Sequence, residues 1–143
     1  MRINPLTRQL LEQVAIQLDT AQGELALVNL NLAGRLAAYE AGPEFEAHPH
    51  FEDIKVRAWP RPKGAHYQVL EFKSLAGAKT GPISQPHAST VHVIQGSLLI
   101  RRHDQDDRLE LAQTSDTLQF RRNEQHGATV LTNTHSLVIY STK

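Results

Sequence analysis

The run Ser115-Asp116-Thr117-Leu118-Gln119-Phe120-Arg121-Arg122-Asn123-Glu124-Gln125-His126 decides the fold. It opens on polar residues, passes into a short strand-like stretch, turns around Asn123 and restarts on a histidine. Asn tolerates the left-handed backbone that a tight reversal needs. Upstream, Val91-His92-Val93-Ile94-Gln95-Gly96-Ser97-Leu98 reads as its counterpart, an alternating run that ends at a glycine.

Working outward, the period of two recurs from about residue 52. Ile54, Val56 and Ala58 alternate with Lys55, Arg57 and Trp59. Tyr67, Val69 and Glu71 alternate with Gln68, Leu70 and Phe72. Successive strand side chains point to opposite faces, so each set has a face of its own. Pro60 to Gly64 reads as a turn, and Gly77, Gly81, Pro82 and Pro86 mark a loop. Val91 to Arg102 is the longest strand candidate, and His103 to Asp107 make a polar hairpin tip. Shorter strands are expected near 109–113, 117–121, 127–132 and 136–141. Many short strands separated by turns predict a barrel or a sandwich.

The first 42 residues read differently. Asn4 can cap a helix that starts on Pro5. Leu6, Leu10, Leu11, Val14 and Leu18 fall near a helical period, as do Leu25, Val28, Leu32, Leu36 and Tyr39 in a second segment. Gly42-Pro43 ends it. Two helices that cover a sheet or form an oligomer seam are expected. The organisation predicted is one domain over 1–143, with a helical subdomain over 1–43 and a barrel over 52–143.

Composition narrows the function classes. A chain of 143 residues with 40% hydrophobic residues can build one core. Fifteen basic residues balance fifteen acidic ones, so no long-range attraction to nucleic acid or to an anionic membrane is expected. The chain has no cysteine, which excludes disulfides, thiolate metal sites and a cysteine nucleophile. It has no apolar run long enough to span a membrane and no secretory leader at its start, so a cytoplasmic location is expected. Eight histidines invite a metal or acid–base reading. No nucleophile elbow, Walker loop or dinucleotide fingerprint is present.

Residues 82–140 resemble the cupin family, RmlC-like jelly-roll barrels of the double-stranded β-helix type. The second motif of that family runs Gly, Pro-x-Gly, then His. Ser115, Arg121, Asn123 and His126 hold those places in register. In the first motif Gly96 keeps its place, Ser89 stands at the Glu position, and His87 and Gln85 precede it. The fold implied is mainly β, a jelly-roll barrel behind two N-terminal α-helices. Family metal sites hold Fe, Mn, Ni or Zn through imidazole and carboxylate. The resemblance implies His87 and His126 as metal ligands, with a divalent metal (Fe, Ni or Zn) as the possible cofactor. Strand alternation puts His87, Ser89, Val91 and Val93 on one face and turns His92 away.

Within that superfamily the chain distantly resembles the cysteine dioxygenase-like thiol dioxygenases. Leu36-Ala37-Ala38-Tyr39-Glu40 resembles the end of their second helix, and Gln95-Gly96-Ser97-Leu98 their Gln-Gly-x-Leu turn. Arg57, in Lys55-Val56-Arg57, matches the arginine that takes the substrate carboxylate. Ser136 and Tyr140 match two members of their Ser-His-Tyr relay, with Val138 in place of the relay histidine. The implied roles are Tyr140 as catalytic and ligand-binding residue, and Arg57, Gln85 and Ser89 as ligand-binding residues. The missing ligand and relay histidine imply a degenerate metal site.

The expectation is therefore a divergent cupin that binds a small, anionic molecule in its barrel without efficient catalysis. One alternative is a metal-dependent Fe dioxygenase of the cysteine dioxygenase-like type. Another is a structural or interaction protein with a filled pocket. A homodimer is expected. The histidines of His48-Pro49-His50 are expected in an exposed linker, and His66, His103 and His135 at turns or facing outward. Arg101-Arg102 and Arg121-Arg122 are expected to decorate strand rims. A His126–Asp116 base pair of the sugar-nucleotide epimerase kind is a further possibility in the sequence.

Overall fold

The computed structural model describes residues 44–59 and 67–141. The two helices expected over 1–43, the Pro60–Gly64 turn and His66 lie outside the described residues.

Ten strands follow one another: β1 (Glu46–Ala47), β2 (Ile54–Ala58), β3 (Tyr67–Ser74), β4 (Lys79–Ile83), β5 (Ser89–Gln95), β6 (Ser97–Arg102), β7 (Arg108–Gln113), β8 (Thr117–Phe120), β9 (His126–Val130) and β10 (Thr134–Ser141). They form a six-stranded sheet in the order β1-β2-β3-β10-β5-β8 and a four-stranded sheet in the order β4-β9-β6-β7. All the pairings are antiparallel. The two sheets share one core, in which Val93 and Ile54 of the first meet Leu98, Ile100, Ala112 and Val130 of the second. This is the jelly-roll arrangement, with residues alternating between an inward and an outward face.

Two expectations about strands are corrected. Val91 to Arg102 is not one strand. Gly96, at φ 111°, carries the chain out of one sheet and into the other. A Cβ there would stand 2.5 Å from Thr134 Oγ1 and 2.6 Å from the Asn133 carbonyl oxygen. The Gly- and Pro-rich segment after Ala76 is not all loop, because it contains β4. That strand lies at the edge of its sheet, where Pro82 needs no ladder hydrogen bond, and its pairing with β9 shifts register between Thr80 and Ile83.

Cross-strand pairs share a face, so the register sorts every side chain. Inward on the six-stranded sheet stand Val56, Leu70, Phe72, Val138, Tyr140, Ser89, Val91, Leu118 and Phe120. Outward stand Arg57, Val69, Glu71, Leu137, Ile139, Thr90 and His92. The middle of that outward face is buried as well, with Leu137 and Ile139 at 0% exposure.

The inward face opens along its length. Ile54, Ser74, Ser136, Val93 and Val130 are buried at one end. One step along the same strands Val56, Phe72, Val138, Val91 and Ala128 are half-buried. A further step reaches half-buried Leu70, Tyr140 and His126, with Ser89, Phe120 and Arg102 buried alongside them. The barrel is packed at the first end, and toward the other end half-buried side chains stand beside buried ones. The half-buried wall is apolar, and His126, Tyr140 and Ser89 stand at its far end.

Candidate functional site

His126 starts β9, opposite Ile83 on one side and Arg102 on the other. Its ring stacks on Phe120, with centroids 3.9 Å apart and planes 17° apart. Phe120 pairs with Ser89, and Ser89 pairs with Tyr140. The register thus gathers His126, Phe120, Ser89 and Tyr140 at the open end of the barrel. Gln85 and His87 lie in the loop between β4 and β5. The Gln85 carbonyl accepts the Asn123 amide at 2.7 Å, which ties that loop to the turn just before His126. Asn123 adopts φ 62°, the left-handed turn expected of it, and Ser115 adopts φ 73° at the other motif position that favours glycine.

The protonation state of the rim follows from its contacts. His126 Nδ1 lies 3.1 Å from the Glu124 carbonyl oxygen. A carbonyl only accepts, so Nδ1 carries the proton and Nε2 keeps its lone pair. Burial holds the His126 pKa below the usual histidine value. The Glu124 contacts oppose this, and Arg102 and His103 add to the lowering. Burial pushes the Tyr140 hydroxyl up. At neutral pH the rim presents a neutral imidazole and an un-ionised phenol.

Beside it lies an ion network that the sequence reading missed. Arg102 has the strand parity of Leu98 and Ile100, so it points inward and is buried. Its Nε donates to Glu110 at 3.0 Å, and its Nη1 donates to both oxygens of Glu124 at 3.1 Å and to the Gln119 carbonyl at 3.0 Å. Its guanidinium carbon lies 4.6 Å from the centroid of the Phe120 ring. Gln105 Nε2 and the Arg121 amide complete the shell of Glu124. Arg102 is therefore no rim decoration. Arg101, Arg121 and Arg122 are exposed.

Arg57 is not brought to this site. It stands on the outward face of β2, where Nε donates to Glu71 at 2.9 Å. Glu71, 1% exposed, also accepts Trp59 Nε1 at 2.9 Å and lies 2.5 Å from His135 Nε2. Burial raises the Glu71 pKa, but the hydrogen bonds from His135, Arg57 and Trp59 outweigh it and hold the carboxylate below its usual range. By strand parity Arg57 lies on the face opposite the barrel interior. His92 turns outward as expected, and it is buried there, with Nδ1 3.0 Å from Thr117 Oγ1. Asp116 sits in the turn before β8, accepts the Gln113 amide and acts on His92, so no His126–Asp116 pair forms.

The donor set does not fit the divalent metal implied by resemblance. His126 would offer Nε2 with its lone pair. Among the described residues no three His, Asp or Glu side chains are grouped to hold an ion. Glu124, the nearest carboxylate in the chain, is committed to Arg102.

No family model matches the chain, and no curated protein matches it. Solved structures do. The polyketide cyclase RemF of Streptomyces resistomycificus is 22% identical over 70% of this chain and 74% of its own, with a TM-score of 0.59. KdgF of Halomonas sp. is 14% identical over 71% and 89%, with a TM-score of 0.61. An RmlC-like cupin of Shewanella frigidimarina is 14% identical over 73% and 90%, with a TM-score of 0.60. The chain has the cupin fold. No helix among the described residues is long and apolar enough to cross a membrane.

Proposed function

We propose that this chain is a divergent cupin that binds a small molecule in the open half of its barrel, without efficient catalysis. The observation that carries this is the exposure gradient. Inward Val91 and Val138 are more exposed than the outward residues on either side of them, which supports a space behind them within the barrel. The wall is apolar and the rim offers a neutral imidazole, a phenol and the Ser89 hydroxyl. Such a site suits an apolar body with one or two hydrogen-bonding groups. An anionic ligand loses its support, because Arg57 faces away and the Arg102 charge is matched by Glu110 and Glu124.

The test uses N-phenyl-1-naphthylamine, a neutral apolar fluorophore, on the full chain. Saturable binding at one site per chain is expected. Val138→Phe, which fills the hollow, should abolish it while leaving the unfolding midpoint near that of the parent. No binding by the parent, or undiminished binding by Val138→Phe, would favour the filled-pocket interaction protein. Metal analysis of untagged protein covers the dioxygenase alternative. Stoichiometric iron, nickel or zinc that disappears in His126→Ala would support an oxygenase over a binding protein.

A further inference from the structure

One row of the six-stranded sheet runs Ala47, Lys55, Lys73, His135, Gln95. Each residue is directly opposite the next across β1, β2, β3, β10 and β5. All five line an open cleft of about 1050 Å³ near the end of the sheet remote from the barrel mouth. Lys55 and Lys73 face each other on adjacent strands, and like charges at such a pair weaken a sheet. Neither lysine is ion-paired among the described residues. The buried carboxylate two positions along β3, Glu71, is saturated by Arg57, Trp59 and His135. Glu52 and Asp53 also line the cleft, but neither closes on a lysine.

Other side chains of the cleft add donors. Lys73 Nζ lies 4.6 Å from the centroid of the Phe45 ring, a cation–π contact that helps fix its place. His48 Nδ1 accepts the amides of His50 at 3.0 Å and Phe51 at 3.3 Å. Its proton therefore sits on Nε2, as a donor. The side-chain amide of Gln95 completes the row.

We propose that this cleft is a second binding site, separate from the barrel hollow, for a small molecule bearing an oxyanion. The negative group sits between Lys55 and Lys73 and removes the repulsion that the bare sheet carries. The class is a phosphate- or carboxylate-bearing metabolite, recognised by two ammonium groups and neighbouring neutral donors.

Calorimetric titration of the full chain with inorganic phosphate, pyrophosphate and citrate at low ionic strength tests this, with thermal melts alongside. Saturable binding of at least one of these anions, one per chain, is expected. The Lys55→Ala/Lys73→Ala double variant should lose it tenfold or more. Without anion, that variant should melt at or above the parent's temperature, since a repulsive pair has been removed. Lys79→Ala, which removes an exposed charge on β4, should bind like the parent. Should the double variant fail to fold, the single Lys55→Gln and Lys73→Gln variants carry the same comparison, each expected to bind more weakly than the parent. No saturable binding by the parent overturns the proposal. So does an equal loss in Lys79→Ala, which would mean a general charge effect.

Discussion

Gly96 is where a single side chain would cost the most. Its φ of 111° is closed to residues with a Cβ, and the space a Cβ would fill is already held by Thr134 and the Asn133 carbonyl. Gly96→Ala should therefore destabilise the protein by about 2–4 kcal/mol, combining backbone strain with a clash against main chain. Urea unfolding monitored by tryptophan fluorescence would measure it. Residue identity made other positions legible in advance. Asn123 was expected to turn left-handed, and does. The face of Arg57 was legible by parity alone: a motif match gives a residue's kind and place, whereas counting from Ile54 and Val56 puts Arg57 on the face away from the barrel interior.

Among the elements, β6 and the β8–β9 turn are joined by the Arg102–Glu124 pair. Both side chains are buried, at 8% and 6% exposure. Removing one partner of a buried pair leaves the other charge stranded, at about 3–5 kcal/mol. Glu124→Ala should show a loss of this size in denaturant, larger than that of Glu110→Ala, whose carboxylate is more exposed. Because Glu124 also accepts the Arg121 amide, the same variant should loosen the turn that positions His126. Faster amide exchange at Arg121 would report it. The alternating strands were readable from the sequence because burial imposes a period of two. The same period contained Arg102, in step with Leu98 and Ile100, and Glu71, in step with Tyr67 and Val69. A charged residue in step with buried apolar ones is a signal of a buried network. β4 was hidden because glycine and proline weaken strand propensity, and an edge strand tolerates both.

For the whole molecule, three histidines set the response to acid. His48, His92 and His126 each have a pKa lowered from 6.5, with burial as the largest cause. An unfolded chain takes up these protons near the ordinary value, and the native protein only at lower pH. Their share of stability is thus present above about pH 6.5 and lost as pH falls below it toward the native values. Glu71 and Glu124, both lowered, add a second loss that begins below about pH 4.5. The melting temperature should fall between about pH 7.5 and 5.5, and His92→Gln should flatten that slope. A pH-independent melting temperature over this range would contradict the assignment. The two-sheet architecture was legible from strand count and turn spacing. Which inward side chains stay half-buried was not, because it depends on how two sheets diverge in space.

The exposure gradient has a consequence for how this protein can change over generations. The outward face of the six-stranded sheet and the packed end of the barrel hold the fold, and substitutions such as Leu137→Ala there should cost about 2–5 kcal/mol. Val56 and Val138 are only half-buried, and exchanging them should cost folding less. The scaffold therefore separates the positions that selection must keep from those it can explore. A lineage built on it can trade one bound molecule for another through the hollow wall while the barrel itself stays intact.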